Sequence, residues 1–295
     1  MKDIARRCPP MVLTGIVVLA AILAGCTGGD DGIRVVAKEQ RVRVSTTTSL
    51  YDTGLWNALE DEFERGSDLR LDIIYAGTGI ALEYGRRGDV DVLAIHDKAR
   101  EETFLAEGYG VERVPFAYNH FVIAGPADDP SGLAGLGPEE AFKKLYEERE
   151  ATFVSRGDDS GTHSKEKAIW VKAGMDYEVV RDSGDWYVER GGGMGPSLLM
   201  AAEKQAYVLS DIGTFLSYQN DIGLVPFVEK GSIMLNVYSA IAVHPDVSTV
   251  ERFERAQSLI DFIVSEKIQD YIGEYGVQDF GRPLFIPCAG NEPVA

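Results

Sequence analysis

Hydrophobic and polar positions along the chain follow two periods in turn, that of a strand and that of a helix. Val42 to Thr46 alternates apolar and polar residues, and Leu71 to Tyr75 and Val90 to Ile95 are further strand-like runs. Between the first two strands, apolar residues recur at the spacing of one helix face: Leu55, Trp56, Leu59 and Phe63. This alternation of strands and helices predicts an α/β fold.

Two short apolar runs predict where the chain passes between lobes. Phe121 to Pro126 ends in Gly-Pro, and Val237 to Val243 is followed by His-Pro. The helical pattern from Val250 to Tyr275 would then return to the first lobe. We predict two lobes with mixed sheets and a ligand cleft between them: residues 41–124 and 238–295 in lobe 1, and residues 125–237 in lobe 2.

The first 25 residues have the pattern of an export signal. A basic start precedes an apolar stretch from Met11 to Ala24, which is shorter than the ~20 residues of a membrane-spanning helix. Leu23-Ala24-Gly25-Cys26 closes the stretch as the lipobox of a secreted lipoprotein does. We predict a signal peptide at residues 1–25, lipidation of Cys26, a tether at residues 26–40 and a protein on the outer face of the cell membrane. A retained apolar anchor is the alternative, and it predicts the same location.

Charge and cysteine content restrict the partners. The formal net charge of −18 repels nucleic acid, so we expect no nucleic-acid partner. It also repels anions, so an anion site must be built from local donors. Cys8 lies in the predicted signal and Cys26 would carry lipid, which leaves Cys288 without a disulfide partner. We expect a monomer stabilised by core burial alone.

Three predicted strand-to-helix turns are rich in hydroxyl groups and glycine: residues 45–49, 77–79 and 155–163. Each turn would place free backbone N–H groups of a helix N-terminus beside hydroxyl donors, which together bind anions. Ser, Thr and Gly are also ordinary helix caps, so any single turn has a simpler explanation. Three turns facing one cleft would form an oxyanion site. We predict ligand contacts from the following residues of these turns: Thr47, Thr48, Thr78, Gly79, Ser160, Gly161 and Thr162.

Arg156 carries the permanent positive charge of the three turns. A guanidinium group can donate two parallel hydrogen bonds to an oxyanion, so we predict Arg156 as the main charged ligand group. A salt bridge to Asp158 or Asp159 is the alternative, and both interpretations can hold if the carboxylate lies behind the guanidinium.

A fourth glycine-rich loop, Gly191 to Ser197, precedes another helical stretch. It would add ligand contacts from Met194 and Gly195. The alternative is a connection without a functional role.

Catalysis is not expected. Ser160 and His163 lie on one predicted helical turn, and no Gly-x-Ser-x-Gly elbow surrounds the serine. The four histidines lack metal-ligand spacing, and the sequence has no nucleotide-binding phosphate loop. We therefore predict no enzyme, no catalytic residue, no metal and no cofactor. An esterase acting at Ser160 remains the alternative.

The sequence pattern of these turns resembles that of the tungstate-binding proteins of ABC importers, the TupA family. Members of this family have the type II periplasmic-binding-protein fold. The resemblance extends through nearly all of the chain after the predicted tether and rests on several short segments: Thr46 to Ser49, Gly88 to Leu93, Tyr118 to Ile123, Ser155 to His163, Gly193 to Gly195, and Gly213-Thr214. It implies a tungstate ligand contacted by Thr47, Arg156 and Thr162, with membrane permease and ATPase subunits as partners.

Two departures from the family pattern and two rival ligands remain open. The family usually has an Asp where this chain has His120, and a basic residue where it has Ile212. Molybdate nearly equals tungstate in size. Phosphate keeps a proton near neutral pH and needs an acceptor, so it would be favoured if Asp158 or Asp159 faced the ligand.

Overall fold

The computed structural model describes residues 40–293. The predicted signal peptide, the lipidation position Cys26 and residues 26–39 of the predicted tether lie outside the described residues. The first strand begins at Gln40, one residue before the predicted start of the folded region. Among residues 40–293, no helix has both the length and the apolar character needed to cross a membrane.

Strands and helices alternate along most of the described chain. The strands are β1 (Gln40–Thr47), β2 (Leu69–Ala76), β3 (Val92–Ile95), β4 (Gly110–Pro126), β5 (Phe153–Ser155), β6 (Tyr187–Glu189), β7 (Tyr207–Asp211), β8 (Leu224–Val228), β9 (Leu235–Val243) and β10 (Ile286–Pro287). The helices are α1 (Thr48–Asp52), α2 (Leu55–Gly66), α3 (Thr78–Arg86), α4 (Lys98–Ala106), α5 (Pro138–Glu148), α6 (Gly161–Lys172), α7 (Tyr177–Arg181), α8 (Met194–Lys204), α9 (Ile212–Ile222), α10 (Val250–Ile263), α11 (Glu266–Glu274) and α12 (Val277–Phe280). A 3₁₀ turn covers Ser232–Met234.

The strands form two groups that share β4. In the first group, β1 pairs in parallel with β2 and β3, and β3 continues through antiparallel β9 to the first part of β4. In the second group, the last part of β4 pairs with β7 and β8, and β7 continues through parallel β5 to β6. The strands are thus mixed parallel and antiparallel, as predicted.

Strand β4 hydrogen-bonds to both groups, the behaviour expected of a chain that passes between two lobes. Strand β9 pairs only with first-group strands among the described residues, over its whole length. The lobe boundaries after residues 124 and 237 stay a prediction.

The predicted elements near the site are confirmed within a few residues. All four residues of the predicted helix face are buried in α2: Leu55, Trp56, Leu59 and Phe63. They pack in one core cluster with Val42 and Val44 of β1, which fixes the strand that leads into the first turn. The sequence pattern missed the first half of β4, because its polar and charged residues interrupt the apolar run.

Candidate functional site

The three hydroxyl-rich turns lie around one cavity of about 10 Å³. This volume is close to the space that one water molecule needs, so only a ligand of a few atoms can occupy it. The lining residues come from all three turns and from the end of β3: Thr47, Thr48, Ser49, Ala76, Gly77, Thr78, His96, Arg156, Ser160 and Gly161. The convergence of the turns that the anion hypothesis requires is therefore present.

The first-group side of the cavity is set by three parallel strands. Strands β1, β2 and β3 end at Thr47, Ala76 and Ile95, and parallel pairing brings their carboxyl ends to one edge. Thr47 also caps α1, since its Oγ1 accepts a hydrogen bond from the Leu50 N–H at 3.3 Å. The pairing pattern explains why residues far apart in sequence line one cavity.

Helix α3 supplies free donors to the same side. The first backbone N–H groups of any helix lack an intrahelical acceptor. Here the N-cap is Gly77, so these groups have no side-chain cap as an acceptor either. The Thr78 side chain is 1% exposed, and its Oγ1 has no hydrogen-bond partner among residues 40–293. A buried hydroxyl without a partner is costly, so it marks a position where a ligand acceptor fits.

The second-group side is built around Arg156, which follows β5 and is 6% exposed. Its Nε and Nη2 donate to Asp158 Oδ2 at 3.1 and 2.5 Å, which leaves Nη1 outside this ion pair. Asp158 Oδ1 accepts the Ser160 N–H at 3.2 Å. The carboxylate thus orients the guanidinium and the start of α6, and both sequence interpretations of Arg156 hold geometrically.

Neither candidate carboxylate lines the cavity. Asp158 lies against Arg156, and Asp159 is directed to Arg100 of α4, whose Nη2 donates to its Oδ1 at 2.7 Å. Among residues 40–293, the lining of this cavity contains no Asp or Glu. The acceptor that a protonated phosphate requires is therefore not supplied by a carboxylate of this lining.

The geometry around Ser160 does not favour nucleophilic catalysis. Ser160 Oγ accepts the backbone N–H of His163 at 3.2 Å as the cap of α6. The imidazole is engaged elsewhere, because its Nδ1 accepts the Asp159 N–H at 3.0 Å and its Nε2 contacts the Tyr177 hydroxyl at 2.6 Å. Burial lowers the pKa of His163 to about 4. This histidine cannot serve as the base for Ser160 in this arrangement.

His96 lines the cavity and was missed by the sequence analysis. Its Nε2 lies 3.3 Å from Ser49 Oγ, and its Nδ1 lies 2.8 Å from Asn236 Oδ1. It packs on Gly161 so closely that a Cβ there would lie 2.8 Å from His96 Cε1. The one available signal was its position directly after the buried strand β3, next to the predicted turns in an open sheet.

Four predicted contact residues do not line the cavity: Gly79, Thr162, Met194 and Gly195. Thr162 is nearby in the first turn of α6 and has a buried Oγ1 without a hydrogen-bond partner in the described range. Met194 packs in the main core cluster. A Cβ at Gly195 would clash with the Tyr218 ring of α9, so this glycine permits close helix packing. For these four, ligand contact remains a prediction.

Comparison with known proteins identifies the family. A family model described as the PBP superfamily domain matches residues 35–267. The tungstate-binding protein TupA of Peptoclostridium acidaminophilum is 42% identical over 286 residues, which cover 95% of this chain and 98% of that protein. The chain belongs to the TupA family.

Solved structures agree with this assignment. The tungstate-binding protein TupA from Desulfovibrio alaskensis has a TM-score of 0.74 at 36% identity and covers 84% of this chain and 99% of its own. The tungstate ABC transporter structure from Geobacter sulfurreducens has a TM-score of 0.72 at 41% identity, with coverages of 80% and 99%. The fold is that of a type II periplasmic-binding protein, and the two relatives named TupA are tungstate-binding proteins rather than enzymes.

The two departures from the TupA family pattern lie together, away from the oxyanion cavity. His120 and Ile212 line a second cavity, of about 60 Å³, with the Glu229 and Arg282 side chains. Arg282 Nη1 donates to Glu229 Oε2 at 3.2 Å. Neither His120 nor Ile212 lines the oxyanion cavity.

Proposed function

We propose that this chain is the extracytoplasmic binding component of an ABC importer and that it binds tungstate in the cavity of the three turns. Thr47, Thr48, Thr78, Arg156, Ser160 and Gly161 would contact the anion. Membrane permease and ATPase subunits would be its partners, and Cys26 would anchor it to the outer face of the membrane. The names of the TupA relatives support the ligand and the transport role.

One observation carries the proposal: the cavity presents donors without a carboxylate. Its lining combines the guanidinium of Arg156, hydroxyl groups, and the uncapped amides at the start of α3. Tungstate, molybdate and sulfate are fully deprotonated near neutral pH, so an all-donor site suits them. Tungstate and molybdate are larger than sulfate, so their oxygens can approach fixed donors that sulfate oxygens cannot reach.

Calorimetric titration with four anions tests the ligand class. We expect tungstate and molybdate to bind more tightly than sulfate and phosphate. Tighter binding of phosphate would contradict the donor-only argument. Tighter binding of molybdate than tungstate would retain the site and change the ligand.

Thr78→Val tests the site itself with an isosteric change. The lost hydroxyl has no partner in the described protein, so the free energy of unfolding should stay equal or rise. Tungstate affinity should fall about 10- to 150-fold, the value of a hydrogen bond to a charged group. Both are measured on one sample, by urea unfolding and by calorimetry.

Ser45→Ala is the matched control. Ser45 Oγ is also buried without a hydrogen-bond partner among the described residues, but Ser45 does not line the cavity. Its removal should be neutral for both stability and affinity. Equal affinity in Thr78→Val and wild type would remove Thr78 from the site.

A further inference from the structure

A chain of side-chain hydrogen bonds leads from the oxyanion cavity into the core between β4 and β9. Ser49 Oγ lies 3.3 Å from His96 Nε2, and His96 Nδ1 lies 2.8 Å from Asn236 Oδ1. Asn236 Nδ2 lies 2.9 Å from Asn119 Oδ1 and 2.8 Å from the Tyr238 hydroxyl. The five side chains are at most 8% exposed, so solvent does not interrupt the chain.

The direction of these bonds is fixed at the buried end. The Leu284 carbonyl can only accept, so the Asn119 group 3.3 Å from it is the NH₂ group. Asn119 Oδ1 then requires a donor, which is the NH₂ group of Asn236. Asn236 Oδ1 is left to face His96 Nδ1, which must carry a hydrogen. In neutral His96 the lone pair is therefore on Nε2, the nitrogen nearest the cavity.

This tautomer turns hydroxyl hydrogens away from the cavity. Ser49 donates its hydrogen to His96 Nε2, and its oxygen then accepts from Thr47 at 3.4 Å. Thr47 Oγ1 is itself an acceptor for the Leu50 N–H, so its hydrogen is the one directed to Ser49. The Ser49 and Thr47 hydroxyls, which both line the cavity, thus donate to protein groups rather than to a ligand.

The groups that line the cavity also supply little net positive charge. The guanidinium of Arg156 is paired with Asp158, so the pair offers a dianion little net charge. Charged groups near His96 are Arg156, Lys165 and the adjacent Asp97, and Lys98 and Glu292 line a larger cavity together with it. Neutral faces come from α1, β4 and β9, through Ser49, Phe121, and Asn236 with Tyr238. Burial and the two cations lower the pKa of His96 to about 4 in the unliganded protein. A dianion in the cavity would raise this pKa, because its negative charge stabilises the protonated imidazole.

We propose that His96 takes up one solvent proton on Nε2 when the oxyanion enters, and that this proton redirects the Ser49 and Thr47 hydroxyl hydrogens to the anion. Protonated Nε2 becomes a donor to Ser49 Oγ, which frees the Ser49 hydrogen and, through it, that of Thr47. The same proton adds the positive charge that the paired Arg156 does not supply. The inference rests on the proposed oxyanion function and makes His96 a positioning residue for the anion donors.

Calorimetry in two buffers of different ionisation enthalpy measures the proton directly. For tungstate binding we expect uptake that approaches one proton at pH 6.5 and declines by pH 8.5. Where uptake is complete, affinity should rise up to tenfold for each unit by which the pH is lowered. His96→Asn should abolish the uptake. Because the same anion enters both proteins, any proton exchanged by tungstate itself cancels in the difference. His244→Asn, at a partly exposed histidine remote from the lining, should leave uptake unchanged.

Nuclear magnetic resonance of the His96 ring nitrogens provides a readout that does not depend on the folding of a variant. We expect a proton on Nδ1 alone in the free protein and on both nitrogens after tungstate is added. A free protein with the proton on Nε2, or binding without proton uptake, overturns the inference. Absence of tungstate binding contradicts the proposed function instead, and the free-state spectrum then still tests the tautomer.

Discussion

The two sides of the oxyanion cavity are built on different principles. On the side of β1 and α3, the lining groups are neutral hydroxyls and backbone amides, backed by the neutral chain from His96 to Asn119. On the side of β5 and α6, the lining includes Arg156, held by Asp158, and the preceding residue, Ser155, donates to the buried carboxylate of Glu166. The first side supplies direction, and the second supplies a guanidinium donor whose charge is largely balanced by Asp158. A strongly acidic protein can bind a dianion when both are brought to one point.

The largest loss should come from the charged side. Arg156→Ala removes the charged donor and leaves Asp158, 18% exposed, without its partner. Truncation of one partner of a buried, hydrogen-bonded charge pair costs about 2–5 kcal/mol, so we expect tungstate affinity to fall about 30- to 4000-fold. Calorimetry measures the effect. Arg156→Lys should recover only part of it, because an ammonium group cannot form the same fork.

Arg282→Ala is the control for removal of an arginine. It breaks the ion pair with Glu229 at the second cavity and should leave tungstate affinity within twofold. Comparable losses in both arginine variants would mean that net charge, rather than the aimed guanidinium of Arg156, governs binding. The comparison between the two sides would then fail.

Besides His96 on the first side, a buried titratable group lies on the second side: Glu166 of α6. Glu166 accepts hydrogen bonds from Ser155 Oγ, Trp170 Nε1 and the Tyr187 hydroxyl, at 2.7, 3.1 and 2.5 Å. Burial raises its pKa to about 7. The folded protein then binds more protons than the unfolded chain between pH 4.5 and about 7. The contribution of Glu166 to stability should fall by up to about 3 kcal/mol as the pH rises through this window, against an opposite contribution from His96 and His163, whose pKa values are lowered to about 4.

Glu166→Gln should remove this contribution, because glutamine imitates the protonated acid. The stability of the variant relative to wild type should therefore rise as the pH increases from 4.5 to about 7, which urea unfolding at half-unit pH steps measures. Glu101 adds a contribution of the same sign in both proteins, since burial also raises its pKa to about 7. The exposed substitution Glu178→Gln should keep the wild-type profile, and an unchanged slope in Glu166→Gln would contradict the assignment.

The sequence predicted the site residues that are recognisable from their neighbours in the chain. It missed the one that reaches the cavity only through strand pairing. The turns of Thr47, Thr78 and Arg156 were recognisable because hydroxyl, glycine and cationic residues stand beside a strand end. His96 could not be assigned, since it reaches the cavity only through the parallel register of β1 with β3. Gly195 shows that a local glycine-rich pattern has more than one use, because this glycine also permits close packing of two helices, here against Tyr218.

The smallest effect should come from a contact that joins the two sides. Arg100 of α4 donates Nη1 to the Asp159 carbonyl at 3.1 Å and Nη2 to Asp159 Oδ1 at 2.7 Å, and so links the first group of strands to the Arg156 turn. The side chains are 29% and 69% exposed, and such pairs contribute about 0.2–1 kcal/mol. Arg100→Ala should therefore raise the tungstate dissociation rate by at most about fivefold.

Stopped-flow measurement at low and high salt separates this contact from a ligand contact. Screening weakens an exposed ion pair, so wild type and Arg100→Ala should converge at 1 M salt. Arg87→Ala, which breaks an exposed pair with Asp89 inside the first group, should leave the dissociation rate unchanged at both salt concentrations. A difference between Arg100→Ala and wild type that persists at high salt would instead place Arg100 among the groups that hold the anion. The site would then hold the anion with a second arginine besides Arg156.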